Sequence, residues 1–373
     1  MSILTINAGS SSLRLNLFAQ TETGLEQLAG VHHKNIDTAD LFLLENFIAS
    51  IDGVDITQVV HRVVHGGIRL TAPCLIDAAV EAEIKRLMPL APLHNPPALE
   101  WIRLARHLLG EQVRHIAIFD TAFYRSLPTV ASTYALPQEL CRKHDIRRYG
   151  FHGIAHQAML HRWKEIRPEI KNGGRVISVQ LGSGCSITAI DHGVPVDTSM
   201  GFSPLEGLLM ATRSGDIDPS VVIYLQRQAG LSAEKIEQLL NKQSGLLGVS
   251  SESNDMQELL NSDSPDAELA VNLYCYRVRK YIGAYLAVLE GADAILFGGG
   301  VGENSSQVRA KILQGMEWSG VQLDLFDNNR ASGTEACIST VASRTDVWVI
   351  PVDEAQVMVL DAAAIMSDMG GSL

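Results

Sequence analysis

A chain of 373 residues, 46% apolar and 19% charged with 31 glycines, has the composition of a folded protein. It exceeds the about 250–300 residues that one core sustains, so two domains are expected. Its 30 basic against 42 acidic residues leave a formal charge of -12, which disfavours nucleic acid as a partner and leaves any phosphate ligand to local groups.

The five cysteines, Cys74, Cys141, Cys185, Cys275 and Cys337, form no Cys-x-x-Cys pair, which fits a reducing compartment. No apolar run reaches the about 18 residues of a bilayer span, and the opening MSILTINAGSSS turns polar too early for a signal peptide. A cytoplasmic chain without a membrane partner is expected.

The chain opens as a β-hairpin: apolar residues 3–6, a turn of Asn7, Ala8, Gly9, Ser10, Ser11 and Ser12, then Leu13, Leu15 and Leu17 alternating with Arg14 and Asn16. Arg62 stands inside an apolar strand, Val59-Val60-His61-Arg62-Val63-Val64-His65, where a guanidinium needs either an anion or an internal carboxylate partner. Helices follow over 78–87 and 97–109, the second opening at Pro96-Pro97 and closing at Gly110. A strand over 114–119 delivers Asp120 to its carboxyl end, the edge where α/β folds collect ligands. His94, His152 and His156 lie in turn-rich stretches. Gly150 and Gly153 break the helix on which His152 and His156 would pair around zinc, and His156 reads as a hydrogen-bonded structural histidine.

The hairpin pattern returns at 176–190 around Gln180, Leu181, Gly182, Ser183 and Gly184, which points to a duplicated fold. Arg213 sits among turn formers in 197–219. A third variant, strand 294–297 and the loop 298–305, leads into a helix bearing Val308, Ile312 and Leu313. A strand over 347–352 then presents Asp353 and Glu354, able to join Asp120 around Mg²⁺ or to cap the last helix. Three loops of glycine and serine suit a polyphosphate, yet neither the P-loop nor the G-x-G-x-x-G pattern is present. Strands alternating with helices imply an α/β protein, with lobes at 1–122 and 123–355. The terminal helix, read over 355–366, can fold back on either lobe, and with its tail as 356–373 it is assigned to the first.

The segments NAGSSSLR (7–14), HRVVHGG (61–67), APLHNPP (91–97), FDTAF (119–123), RRYGFHG (147–153), DTSMGFSPLEG (197–207), TRSGDIDP (212–219) and GENS (302–305) resemble, in order, the signature segments of the acetate kinases. That resemblance implies the actin-like ATPase fold: two duplicated ribonuclease-H-like lobes around a cleft, with a homodimer formed through the second. It implies acetate and ATP as substrates, acetyl phosphate and ADP as products, and Mg²⁺ or Mn²⁺ as the metal. Residue by residue, it implies Asn7 and Glu354 at the metal and Asp120, His152 and Arg213 in catalysis. Arg62 and His94 would meet the substrate, with Val64, Leu93, Phe151 and Pro204 around its methyl group. Ser10, Ser12, Arg14, Gln180, Leu181, Gly182, Ser183, Gly184, Asp255, Met256, Gln257, Gly300, Val301, Gly302, Glu303 and Asn304 would meet the nucleotide.

The chain departs from the family mainly on the donor side. Gln180 and Ser183 replace the usual His and Asn, and Met256-Gln257 replaces Phe-Arg after Asp255. Arg14, Tyr124, Ala211 and Gly298 stand for Lys, His, Gly and Thr. GTP or pyrophosphate as donor, and propionate or butyrate as acceptor, therefore stay open beside ATP and acetate.

Overall fold

The computed structural model describes residues 2–9, 12–21, 24–34, 36, 39–51 and 53–370. They form two compact units, one of Met1–Arg125, Phe151–Ile154 and Asp353–Leu373, the other of Ser126–Gly150 and Ala155–Val352.

The first unit holds strands β1 (Ser2–Ala8), β2 (Ser12–Thr21), β3 (Gly24–Lys34), β4 (Ile56–Val63), β5 (Cys74–Leu75) and β6 (Arg114–Phe119), in the order β3-β2-β1-β4-β6-β5. The first three make an antiparallel meander, longer by one strand than the hairpin read from the sequence. β4 and β6 run parallel to β1, and β5 closes the edge antiparallel. Alternation sends Leu13, Leu15 and Leu17, with Leu4 and Ile6, to the face packed on Leu44, Phe47 and Trp101. Each such buried side chain contributes about 1.5–3 kcal/mol.

The helix Asn95–Leu109 starts two residues earlier than the prolines suggested, since proline is tolerated in a first turn, and Gly110 ends it with a φ of 87°. The helix Ala78–Arg86 stops one residue short of the expected end. The last helix, Glu354–Gly370, lies against β1, β4 and β6.

The second unit repeats the plan with β7 (Arg175–Leu181), β8 (Cys185–Asp191), β9 (Val194–Thr198), β10 (Ala294–Gly298), β11 (Ala336–Cys337) and β12 (Asp346–Val349), ordered β11-β12-β10-β7-β8-β9. Again a meander leads into two parallel strands and a short antiparallel edge. Strand for strand the connectivity is the same, which is the duplicated ribonuclease-H-like architecture of the actin-like ATPases. Two elements differ from the sequence reading. β12 stops at Val349, short of 352, and the segment expected as a loop after β10 coils into the helix Gly299–Asn304 before the helix Ser306–Leu313. No helix among the described residues is long and apolar enough to cross a membrane.

Candidate active site

Three strand ends of the first unit converge on one polar network. Arg62, near the end of β4, donates from Nε to both Asp120 oxygens at 3.2 Å and from Nη2 to Oδ2 at 2.7 Å. Its Nη1 donates to Asn7 Oδ1 at 3.1 Å, and Asn7 Nδ2 donates to Glu354 Oε2 at 2.5 Å. The internal carboxylate that Arg62 required is thus Asp120, which is fully buried. A guanidinium carries five N–H groups. Three are engaged among the described residues, which leaves one on each terminal nitrogen.

Burial pushes the Asp120 carboxyl up from its usual range, with Arg62 opposing the shift. Burial also works against the charge on Arg62, but attraction to Asp120 and Glu354 outweighs it and keeps the guanidinium charged. The carboxylates at the last helix divide their work. Asp353 caps it, its Oδ1 accepting from Gln356 N at 2.9 Å, while Glu354 turns to Asn7.

The segment 151–154 belongs to this unit because it is tied to the end of β6. Ile154 N donates to the Asp120 carboxylate, and the Tyr124 hydroxyl donates to Phe151 O at 2.8 Å. A Cβ on Gly153 would overlap the Asp120 carbonyl, so only glycine fits there. His152 precedes the helix Gly153–Ile166 with a φ of 56°, a left-handed backbone imposed by this turn. His156, inside that helix, is buried between Ser178 Oγ at 2.7 Å and Ser186 Oγ at 2.8 Å, a structural role.

Of the residues expected to wall the substrate, Val64 and Phe151 are buried, and Leu93 and His94 are partly so. Asn95, which sequence reasoning passed over, holds this wall by pairing with His65 on both sides, accepting from His65 N at 3.1 Å and donating to His65 O at 3.0 Å. Phe151 meets the His65 ring edge-on at 5.4 Å.

Hard oxygens of Asn7, Asp120 and Glu354 lie along one chain of contacts, a donor set that fits Mg²⁺ better than a softer metal. No group of three or more His, Cys, Asp or Glu arranged for a metal occurs among the described residues. A divalent ion would therefore depend on substrate oxygens and water for the rest of its shell. Of the expected donor residues here, Ser10 lies outside the described residues, Ser12 O accepts from Gly9 N at 2.7 Å, and Arg14 is exposed on β2 opposite Asn7.

In the second unit Gln180 and Leu181 finish β7, and Gly182, Ser183 and Gly184 turn the chain into β8. The turn is fixed by Gly182 N to Gly184 O at 3.1 Å and by the Cys185 thiol, which donates to Gly182 O at 3.2 Å. The Gln180 side-chain oxygen is buried with no hydrogen-bond partner among the described residues. In the helix after β10, Glu303 accepts from Gly299 N at 2.8 Å and from Val352 N at 3.0 Å. Asn304 Nδ2 donates to Gly300 O at 2.9 Å, while Val301 is only partly buried. Arg309, fully buried, donates to the carbonyls of Gly302 and Glu303 at 2.8 and 3.0 Å. The sequence reading passed over it, because nothing local marks its burial beside Val308 and Ile312.

Asp255 caps the short helix Met256–Leu260, accepting from the amides of Gln257 and Glu258 at 2.8 and 3.1 Å. Met256 is buried and Gln257 exposed, so Met256 presents no face to a base. Arg213 donates from Nη1 to Pro204 O at 2.7 Å and forms no ion pair among the described residues; burial lowers its pKa from the usual arginine range. A partly buried guanidinium without a carboxylate partner among the described residues bears a desolvation cost that an anionic ligand would offset.

The sequence model of the acetokinase family matches residues 28–360. Acetate kinase of Chloroherpeton thalassium is 46% identical over 312 residues, covering 82% of this chain and 75% of the relative. The solved acetate kinase of Porphyromonas gingivalis is 36% identical with a TM-score of 0.86, covering 98% of this chain and 99% of that one. A propionate kinase from Francisella tularensis superposes with a TM-score of 0.87 at 34% identity, covering 96% and 98%.

Proposed function

The chain belongs to the acetokinase family, and from that premise we propose the roles of its residues in the reaction it catalyses, transfer of a phosphoryl group to the carboxylate of acetate. The observation that carries the reading is Arg62: a charged, largely buried guanidinium that among the described residues keeps one N–H on each terminal nitrogen, two positions before the buried Val64, with Leu93, His94 and Phe151 proposed to meet the substrate beside it. It binds a carboxylate bearing a small apolar tail, which Pro204 is proposed to meet as well.

The acetate oxygen attacks the γ-phosphorus of ATP in line. The new O–P bond forms as the bridging P–O bond breaks, and its electron pair leaves with ADP. No proton moves, because the acceptor is already ionised at neutral pH, so Asp120 needs no role as a base. Its carboxylate instead fixes the Nε edge of Arg62. Arg213 and His152 stabilise charge on the equatorial oxygens, and the backbone amides of the 180–184 and 299–304 segments meet the donor phosphates. Asn7, Asp120 and Glu354 would hold Mg²⁺, which neutralises phosphate charge when bound.

The helix Pro219–Arg227 buries none of its residues and exposes Val221, Ile223 and Tyr224, as the helix Pro265–Val288 exposes Leu269 and Tyr276. These apolar faces support a homodimer through the second unit. Trapping acetyl phosphate as its hydroxamate, with acetate or propionate against ATP, GTP or pyrophosphate, tests the reading. Acetate with ATP is expected to give the highest kcat/KM, and product with no carboxylate would end it.

A further inference from the structure

The carbonyl that receives Arg213 lies in a turn clamped by one phenol. Tyr134 Oη accepts from Phe202 N at 2.8 Å and donates to Glu206 Oε2, so a single hydroxyl bridges the residues two before and two after Pro204. Arg148 completes the clamp. Its Nη2 donates to Glu206 Oε1 at 2.6 Å, and its Nη1 donates to Thr198 O and Ser199 O at 3.1 and 3.2 Å. The Arg148 guanidinium also lies 5.7 Å from the Tyr134 ring centroid. A Cβ on Gly201 would overlap both the Tyr134 hydroxyl and the Glu206 carboxylate, so a side chain there would push the clamp apart. The far end is fastened separately, Asp216 accepting from Gly207 N at 2.8 Å and from the Tyr281 hydroxyl at 2.7 Å.

From this geometry we infer that Tyr134 is a positioning residue for the phosphoryl transfer, acting through Pro204 O on the Arg213 guanidinium. Among the described residues Pro204 O is the acceptor of Arg213, so the direction of that guanidinium follows the turn. A misplacement of about 1 Å at a charge-stabilising group costs up to about a hundredfold in rate. The phenol therefore touches no substrate yet sets where the charge sits. This inference rests on the role proposed for Arg213.

The test is a double-mutant cycle on the full chain with Tyr134→Phe, Arg213→Ala and both, reading kcat and KM from hydroxamate formation alongside the thermal midpoint. Tyr134→Phe is expected to lower kcat about tenfold, the effect of one lost hydrogen bond, with KM for ATP unchanged. Placed on Arg213→Ala it is expected to cost nothing further. Losses that multiply, or an unchanged kcat in Tyr134→Phe, would overturn the inference while leaving Arg213 in its role. Near-native turnover in Arg213→Ala would instead remove the role and the inference with it. Glu206→Gln, which keeps the shape of the clamp and removes its charge, serves as a second arm and is expected to show the same non-additivity.

Discussion

In the first unit β1, β4 and β6 bring Asn7, Arg62 and Asp120 to their carboxyl ends, whereas the corresponding β7, β10 and β12 of the second unit finish with Gln180 and Leu181, Gly298, and Val349. The strand order is the same and the chemistry is not. One sheet ends in charged side chains that pair with one another. The other ends in backbone and small residues, and Arg213 of that unit forms no ion pair among the described residues. On the proposed function, a duplicated scaffold separates acceptor recognition from donor recognition without changing its connectivity.

The largest expected effects test that contrast directly. Arg62→Ala should reduce kcat by about 10²–10³, and because it strands a fully buried Asp120 it should also cost about 3–5 kcal/mol of stability. Arg213→Ala should lose comparable activity with its denaturation midpoint almost unmoved, since no carboxylate loses a partner. Equal stability losses in the two variants would erase the distinction. A smaller effect lies in the wall around Arg62. Val64→Ala should shift kcat/KM from acetate toward propionate by about tenfold, the scale of one methylene. A native preference for propionate would show that the wall is not tight.

Acid should distinguish the units less sharply. His61 and His115 stack in the first unit with His61 Nε2 and His115 Nδ1 3.0 Å apart, near Arg106 and Glu81. Burial, then Arg106, takes His115 from 6.5 down to about 4, and burial with His115 lowers His61 further. Both stay neutral in the folded chain and take up protons on unfolding below pH 6.5. Stability is therefore full above that pH and should fall toward pH 4 by about 1.4 kcal/mol per pH unit for each histidine. His156 of the second unit, lowered to about 3 by burial, adds to the same fall. Urea midpoints measured from pH 7 to 4.5 should show a shallower slope in His115→Gln, and a parallel slope would clear that pair. The smallest change is expected from Gln257→Arg on the exposed donor side, an ATP KM lower by about three- to tenfold with the acetate KM unaffected. No change in the ATP KM would show that Gln257 lies away from the nucleotide.

The sequence by itself determined the alternation that buries Leu13, Leu15 and Leu17, the repeated hairpin behind two sheets, and the identities of Arg62, Asp120 and Glu354 as candidates. Those are local properties, carried by period and residue type. It did not determine what these residues hold. Arg62 reaches Asp120 across 58 positions, and Asn7 reaches Glu354 across 347. Tyr134 and Arg148 grip Glu206 from 72 and 58 positions away, and Arg309 is a buried anchor for the 299–304 segment. Each of these partnerships is fixed by strand order and by where a loop returns, and a hydrogen bond between distant residues leaves no trace in either sequence neighbourhood. Only the tertiary structure could decide that Arg62 pairs with a carboxylate and that Arg213, among the described residues, does not, because that depends on which carboxylate the fold brings within 3 Å of each.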